Sequence, residues 1–214
     1  MNKPKVIFLD AVGTLFSVKS SVGEIYSEAA NRFGVEVSAA ALNKAFYKSY
    51  QESSPMAFPG LYPQEIAARE IEWWKILVTK SFETAGAIDK FTDFSGFFDE
   101  LYAYFATAEP WFIYSDVLPT LKQWQKLGVE LGIVSNFDSR IYSVLSTLNL
   151  LDFFTSITIS TEVGAAKPES QMFFQALEKH CCPADAAWHI GDSYKEDYQG
   201  AKAAGLKAIW LNRS

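Results

Sequence analysis

The apolar positions of the chain change their period along its length. Val6–Leu9 is a short continuous apolar run, the pattern of a strand covered on both faces. From about Ser20 to Phe105 the period is helical. Val22, Ile25, Tyr26, Ala29 and Phe33 fall on one helix face, and Gly34 gives a stop. Ser38 can cap a second helix running to about Glu52. The stretch SSPMAFPGLYP (53–63) reads as a loop, because its prolines and glycine break both periods. Ile66, Trp73, Trp74, Leu77 and Val78 mark a third helix, and Phe97, Phe98, Leu101, Tyr102 and Phe105 a fourth.

After Pro110 the texture alternates. Helices are expected over 116–127, 138–148, 168–180 and 195–204, and strands over 129–134, 156–160, 186–190 and 207–211. Alternating strands and helices imply a parallel sheet with right-handed crossovers. The expected fold class is therefore α/β: a Rossmann-like parallel-sheet core interrupted by a helical insertion.

Composition narrows the function classes. The chain is 49% hydrophobic and 21% charged, which fits an ordinary soluble globular protein. A net charge of -6 argues against nucleic acid or an anionic membrane as the main partner. It still allows an anionic small molecule, because a local cation can reverse the field at a site. Cys181 and Cys182 are neighbours, so they make no disulfide framework, and a reducing, cytoplasmic setting is expected. Asp10 cuts the first apolar run short of a signal peptide. Oligomeric state is left as monomer or homodimer.

Ligands of open parallel sheets bind at the carboxyl ends of the strands. Here those ends carry Asp10, then Ser135 and Asn136, then Lys167 in the following loop, then Asp192 and Ser193, with Asp197 five residues further on. The set suits phosphoryl transfer. A carboxylate can attack phosphorus. Asp10 and Asp192 can share a Mg²⁺, which prefers oxygen ligands. Lys167 adds a second positive centre. Ser135, Asn136 and N–H groups of the turn at 11–14, Gly13 and Thr14 among them, can bind phosphate oxygens.

In this order DAVGTLF, VSNFD, the Lys-Pro at 167–168 and GDSYKED resemble the four motifs of the haloacid dehalogenase superfamily. The resemblance covers essentially the whole chain. It implies a core of residues 1–16 and 108–214 and a helical cap domain of 17–107 that closes over the site, with hinges near Phe16–Ser20 and Ala108–Trp111. It implies Asp10 as nucleophile, Ser135 as phosphate-binding hydroxyl and Lys167 as the neutralising lysine. The metal ligands would be Asp10, Asp192 and the carbonyl of Val12, with Ser193 and Asp197 in the outer shell. The implied cofactor is Mg²⁺ and the implied substrate a small phosphorylated molecule.

One position departs from the pattern. Phosphatases of this superfamily usually carry aspartate where this chain has Val12. That acid protonates the leaving alcohol and later activates water, and losing such a group commonly costs about 10²–10⁴-fold in rate. Four readings follow: a phosphatase that is slow or prefers good leaving groups, a 2-haloacid dehalogenase, a phosphonate-cleaving enzyme, and a silent phosphate-binding or regulatory protein. Asp192 favours the metal-dependent branch, and no cap lysine matches a phosphonate-cleaving context. Asp138 and Glu162 are candidates to replace the missing acid. Singly, Asp10, Lys167, Asp192 and Ser193 read as capping or solvated residues, and only their joint placement argues for a site. His189 reads as a satisfied core histidine, His180 as a helix C-terminal residue, and the loop 53–63 as a candidate for specificity.

Overall fold

The computed structural model describes residues 3–213. Two compact units make up the chain. One takes the chain up to Ser17, the stretch Met56–Ile66 and everything from Phe112 onward; the other comprises Val18–Pro55 and Ala67–Trp111. The insertion expected over 17–107 is thus interrupted, since residues 56–66 group with the α/β unit. The chain passes between units at four places rather than two.

In the α/β unit, β1 (Val6–Leu9) is the central strand of a five-stranded parallel sheet. The order is β5-β4-β1-β6-β7, with β4 Glu130–Ser135, β5 Ser156–Ile159, β6 Ala187–Gly191 and β7 Lys207–Trp210. β1 pairs with β4 and β6 on its two sides, so Leu9 lies beside Ile133 and Ile190. This register brings the residues after all three strands to one edge. The helices α5 (Val117–Lys126), α6 (Arg140–Thr147) and α8 (Ser170–Lys179) fall within the expected spans, and a one-turn α7 (Ser160–Val163) follows β5. A core of Val6, Phe8, Val134, Met172, Phe173 and Leu177 forms under the sheet. His180 follows α8 directly. It ties the starts of two strands together, with Nδ1 2.6 Å from Glu130 and Nε2 2.7 Å from Ser156.

The helix expected over 195–204 takes another form. Tyr194–Gln199 is a π-helix, and α9 (Gly200–Ala203) continues it. A turn with an added residue leaves no periodic signature in a sequence, and such turns are frequent at functional sites. Two short strands were also not foreseen. β2 (Phe16–Val18) and β3 (Trp111–Ile113) form a two-stranded sheet where flexible hinges were expected.

The second unit is helical. Its helices are α1 (Val22–Arg32), α2 (Ala39–Glu52), most of α3 (Pro63–Thr84) and α4 (Phe94–Tyr104). Ser21 and Glu24 form a capping box at the start of α1, and Ser38 caps α2 as expected. Tyr26, Phe82 and Phe97 centre the core, with Trp73 and Trp74 packed against it. The tryptophans therefore belong to the unit's packing. No helix among the described residues is long and apolar enough to cross a membrane.

Candidate functional site

Asp10 leaves β1 with its N–H still bonded to Ile190 O (3.0 Å). The chain then coils tightly. Ala11 O accepts from Thr14, Leu15 and Phe16, and Gly13 N–H donates to Phe16 O (2.8 Å). The N–H groups of Gly13 and Thr14, expected to face phosphate, are thus committed inside the loop. Those of Ala11 and Val12 have no acceptor among the described residues, nor does the Val12 carbonyl have a donor. The open donors sit directly beside Asp10.

Both side-chain hydrogen bonds of Asp10 fall on Oδ1: Ser135 Oγ donates at 2.9 Å and Lys167 Nζ at 2.6 Å. Oδ2 keeps its lone pairs. Lys167 is 4% exposed, and its ammonium also donates to Asp197 Oδ1 at 2.5 Å. Burial works against that ammonium, but the charges of Asp10 and Asp197 outweigh it and raise its pKa well above the lysine range. Burial likewise opposes ionised Asp197, yet Lys167 and the hydrogen bond from His189 hold it far below the carboxylate range. For Asp10 burial prevails over the pull of Lys167, and its pKa is raised.

Asn136 has a different place from the one expected. Its Nδ2 donates to Lys167 O (3.0 Å) and Glu196 Oε2 (3.2 Å), and its Oδ1 accepts from Lys167 N–H (2.7 Å). The side chain fixes the lysine's backbone, and no hydrogen bond of Asn136's own N–H is seen among the described residues. Ser193 caps the π-helix, accepting from Glu196 N–H (3.1 Å), while its N–H donates to Asp197 Oδ2 (3.0 Å). Asp138 is bonded to Arg140 and Glu162 to Tyr142, so neither is an idle acid waiting to replace the one missing at Val12.

Asp192 stands at the rim, its carbonyl bonded to Trp210 Nε1 (2.9 Å) and its carboxylate to Thr14 Oγ1 (3.3 Å). Its side chain is partly open to solvent. Even so, desolvation, then the charges of Asp10 and Asp197, push its pKa up to about 6. Gly13, at φ +85°, makes the approach possible: a Cβ there would lie 2.5 Å from the Asp192 carboxylate. The carboxylates of Asp10, Asp192 and Asp197 present oxygens within 4.8 Å of one another. Lys167 pairs with Asp10 and Asp197 but not with Asp192, so the three carboxylates outnumber the one lysine among them. Asp197 is saturated by Lys167, His189 and Ser193. One lone pair of Asp10 Oδ2 and the Asp192 carboxylate remain, all-oxygen donors that suit a small divalent cation, while the other lone pair of Oδ2 stays open.

Three participants escaped the sequence reading. His189 bonds Asp197, Glu196 bonds Asn136, and Arg213 donates to Thr14 O (2.7 Å), holding the loop after Asp10. Only His189 had a signal, as a polar residue inside a buried strand just before Gly191 and Asp192.

Comparison with known proteins places this geometry. Residues 4–205 match the family model of haloacid dehalogenase-like hydrolases. The chain is 34% identical over 215 residues to haloacid dehalogenase-like hydrolase domain-containing protein 3 of Danio rerio, covering 97% of this chain and 84% of that protein. The fold is similar to that of a HAD phosphatase from Thermococcus onnurineus (TM-score 0.65, 23% identity, 98% of this chain and 87% of that one). It is also similar to that of L-2-haloacid dehalogenase from Xanthobacter autotrophicus (TM-score 0.71, 18% identity, 99% and 78%). With four motifs at the strand ends and the family model spanning nearly its full length, the chain belongs to the haloacid dehalogenase-like hydrolases.

Proposed function

We propose that the protein is a Mg²⁺-dependent phosphatase-type hydrolase acting on a small phosphorylated metabolite. The observation that carries the reading is the cluster of three carboxylates around one buried lysine, with Asp192 beside the nucleophile loop. A dehalogenase has no need of that third acid. Mg²⁺ held by Asp10, Asp192 and the Val12 carbonyl would supply positive charge against the phosphate oxygens.

The residues of the chain divide the remaining work. Lys167 and Ser135 hold Asp10 Oδ1, which aims Oδ2 at phosphorus. Oδ2 attacks, a P–O bond to the alcohol breaks, and the phosphoryl group is left on Asp10. The N–H groups of Ala11, Val12 and Asn136 are the donors for its oxygens. Water then attacks phosphorus, releasing inorganic phosphate and restoring the carboxylate. Val12 delivers no proton in either step. Leaving groups that need little protonation, aryl and acyl phosphates, are therefore the better substrates.

Val12→Asp is expected to raise turnover of alkyl phosphates by up to about 10²-fold and that of aryl phosphates by much less. Steady-state kinetics on matched alkyl and aryl esters measure the difference. An equal gain on both, or none, would remove proton delivery as the limiting deficit.

Metal binding should carry the titration of Asp192. A ligating carboxylate must be ionised, so protons compete with the cation. Affinity for Mg²⁺ is expected to be level above pH 7 and to fall by about tenfold per unit well below Asp192's pKa of about 6. Calorimetry between pH 5 and 8 reads this directly, and a flat profile would exclude Asp192 as a ligand.

Val12 also favours a second reading, since halide leaves without a proton. A panel of phosphate esters, acyl phosphates and 2-haloacids, each with Mg²⁺ and with chelator, separates the two. Release of halide indifferent to chelator, with no release of phosphate, would establish the dehalogenase.

A further inference from the structure

His189 lies inside β6 with no solvent exposure. Its Nε2 is 2.8 Å from Asp197 Oδ1, the same oxygen that accepts from Lys167 Nζ at 2.5 Å. Lys167 Nζ in turn reaches Asp10 Oδ1 at 2.6 Å. Four side chains thus form one buried line ending at the nucleophile. A carboxylate only accepts, so Nε2 carries the proton and Nδ1 is a bare acceptor. That Nδ1 is buried with no hydrogen-bond partner among the described residues. The ring of Phe173 packs edge-on against the imidazole at 5.1 Å.

For packing alone the histidine is a poor choice. A leucine would fill much of the volume without an orphaned polar atom. What the imidazole adds is a donor aimed at Asp197. That carboxylate is boxed on its other sides: Ser193 N–H bonds Oδ2 at 3.0 Å, and a Cβ on Gly191 would lie 2.1 Å from its Cγ. Stripped of the His189 donor, Oδ1 would compete harder for the lysine and draw the ammonium off Asp10.

We propose that His189 is a positioning residue, its Nε2–H fixing the Asp197 carboxylate so that Lys167 stays shared between Asp197 and the nucleophile Asp10. The proposal rests on the phosphatase reading for its kinetic consequences and on geometry alone for its structural ones.

Three substitutions test it. His189→Leu has no donor. His189→Gln can place an amide N–H where Nε2 stands, and His189→Asn is too short to do so. His189→Leu is expected to lower kcat about 10–100-fold while KM shifts by less than about threefold, whatever the change in melting temperature. His189→Gln restores most of kcat, and His189→Asn does not. A lower melting temperature with unchanged kcat would make the residue a packing element and overturn the proposal. If His189→Leu fails to fold, equal kcat for the Gln and Asn variants overturns it. A readout independent of turnover is the ¹H–¹⁵N signal of the Lys167 ammonium, assigned by its loss in Lys167→Arg. It should be retained in His189→Gln and displaced in His189→Leu and His189→Asn. If the wild type turns over no phosphate ester, the phosphatase reading falls. The ammonium signal then decides alone, and a signal unmoved in the donorless variants overturns the proposal.

Discussion

Asp10→Asn lowers turnover of every phosphate ester by at least about 10⁴-fold and leaves the fold intact. The expectation comes from which oxygen does what. Ser135 and Lys167 both donate to Oδ1, and an asparagine oxygen can still accept from both. Only Oδ2, the atom with no donor, is exchanged for a nitrogen that cannot attack phosphorus. Burial already disfavours the ionised form of Asp10, so removing its charge offsets part of the ion pair it takes from Lys167. Thermal melting within a few degrees of wild type beside lost activity is the expected pair of results. Residual turnover in both the Asp10→Asn and the Val12→Asp, Asp10→Asn proteins would show that Asp10 is not the nucleophile.

Lys167→Met has the largest expected effect on stability. It leaves Asp10 and Asp197, both buried, facing each other without their cation. Removing one partner of a buried pair costs about 3–5 kcal/mol. At roughly 2–4 °C per kcal/mol for a chain of this size, the melting temperature falls by about 6–20 °C at pH 7. The pH dependence has a definite sign. Asp197 is lowered from 3.8, so its contribution is present above that value and is lost as pH falls through its depressed pKa. Lys167 is raised from 10.5, so its contribution is present below that value and lost as pH rises through its elevated one. Asp10, raised by burial, opposes folding wherever it is held ionised. The wild type's advantage over Lys167→Met should therefore be widest from neutral to mildly alkaline pH and narrow as pH falls, because the variant's unpaired buried carboxylates take up protons that the wild type's do not. Denaturant melts across that range measure it, and an advantage independent of pH would mean the lysine stabilises by packing alone.

The sequence displayed most of the positions and little of the wiring. Strand ends were legible because a buried parallel strand is an uninterrupted apolar run, and a charge ends it abruptly, as Asp10 ends Val6–Leu9. Asp192 and Ser135 were found in the same way. The hydrogen-bond partners were not legible. Asn136 looks the same in sequence whether its amide meets a phosphate or, as here, Lys167 and Glu196. His189 reads as an ordinary core residue because an orphaned Nδ1 is a property of its neighbours in space. The loop 53–63 carries clear turn residues, yet nothing local assigns Met56–Ile66 to the α/β unit. That is decided by approaches such as Gly164, where a Cβ would lie 3.0 Å from Pro59.

The central position of β1 also sets an order of events in synthesis. Its strand leaves the ribosome before the other strands of its sheet, but the serine that bonds Asp10 follows 125 residues later and the lysine 157 residues later. At about 5–20 residues per second β1 waits several seconds or more for these partners. The helical unit, whose contacts close over shorter stretches of chain, can collapse in that interval. A ribosome stalled before Lys167 carries an Asp10 with no ammonium beside it. The site is therefore completed late in translation, and a chain truncated before Lys167 carries Asp10 without the serine-lysine clamp that holds it.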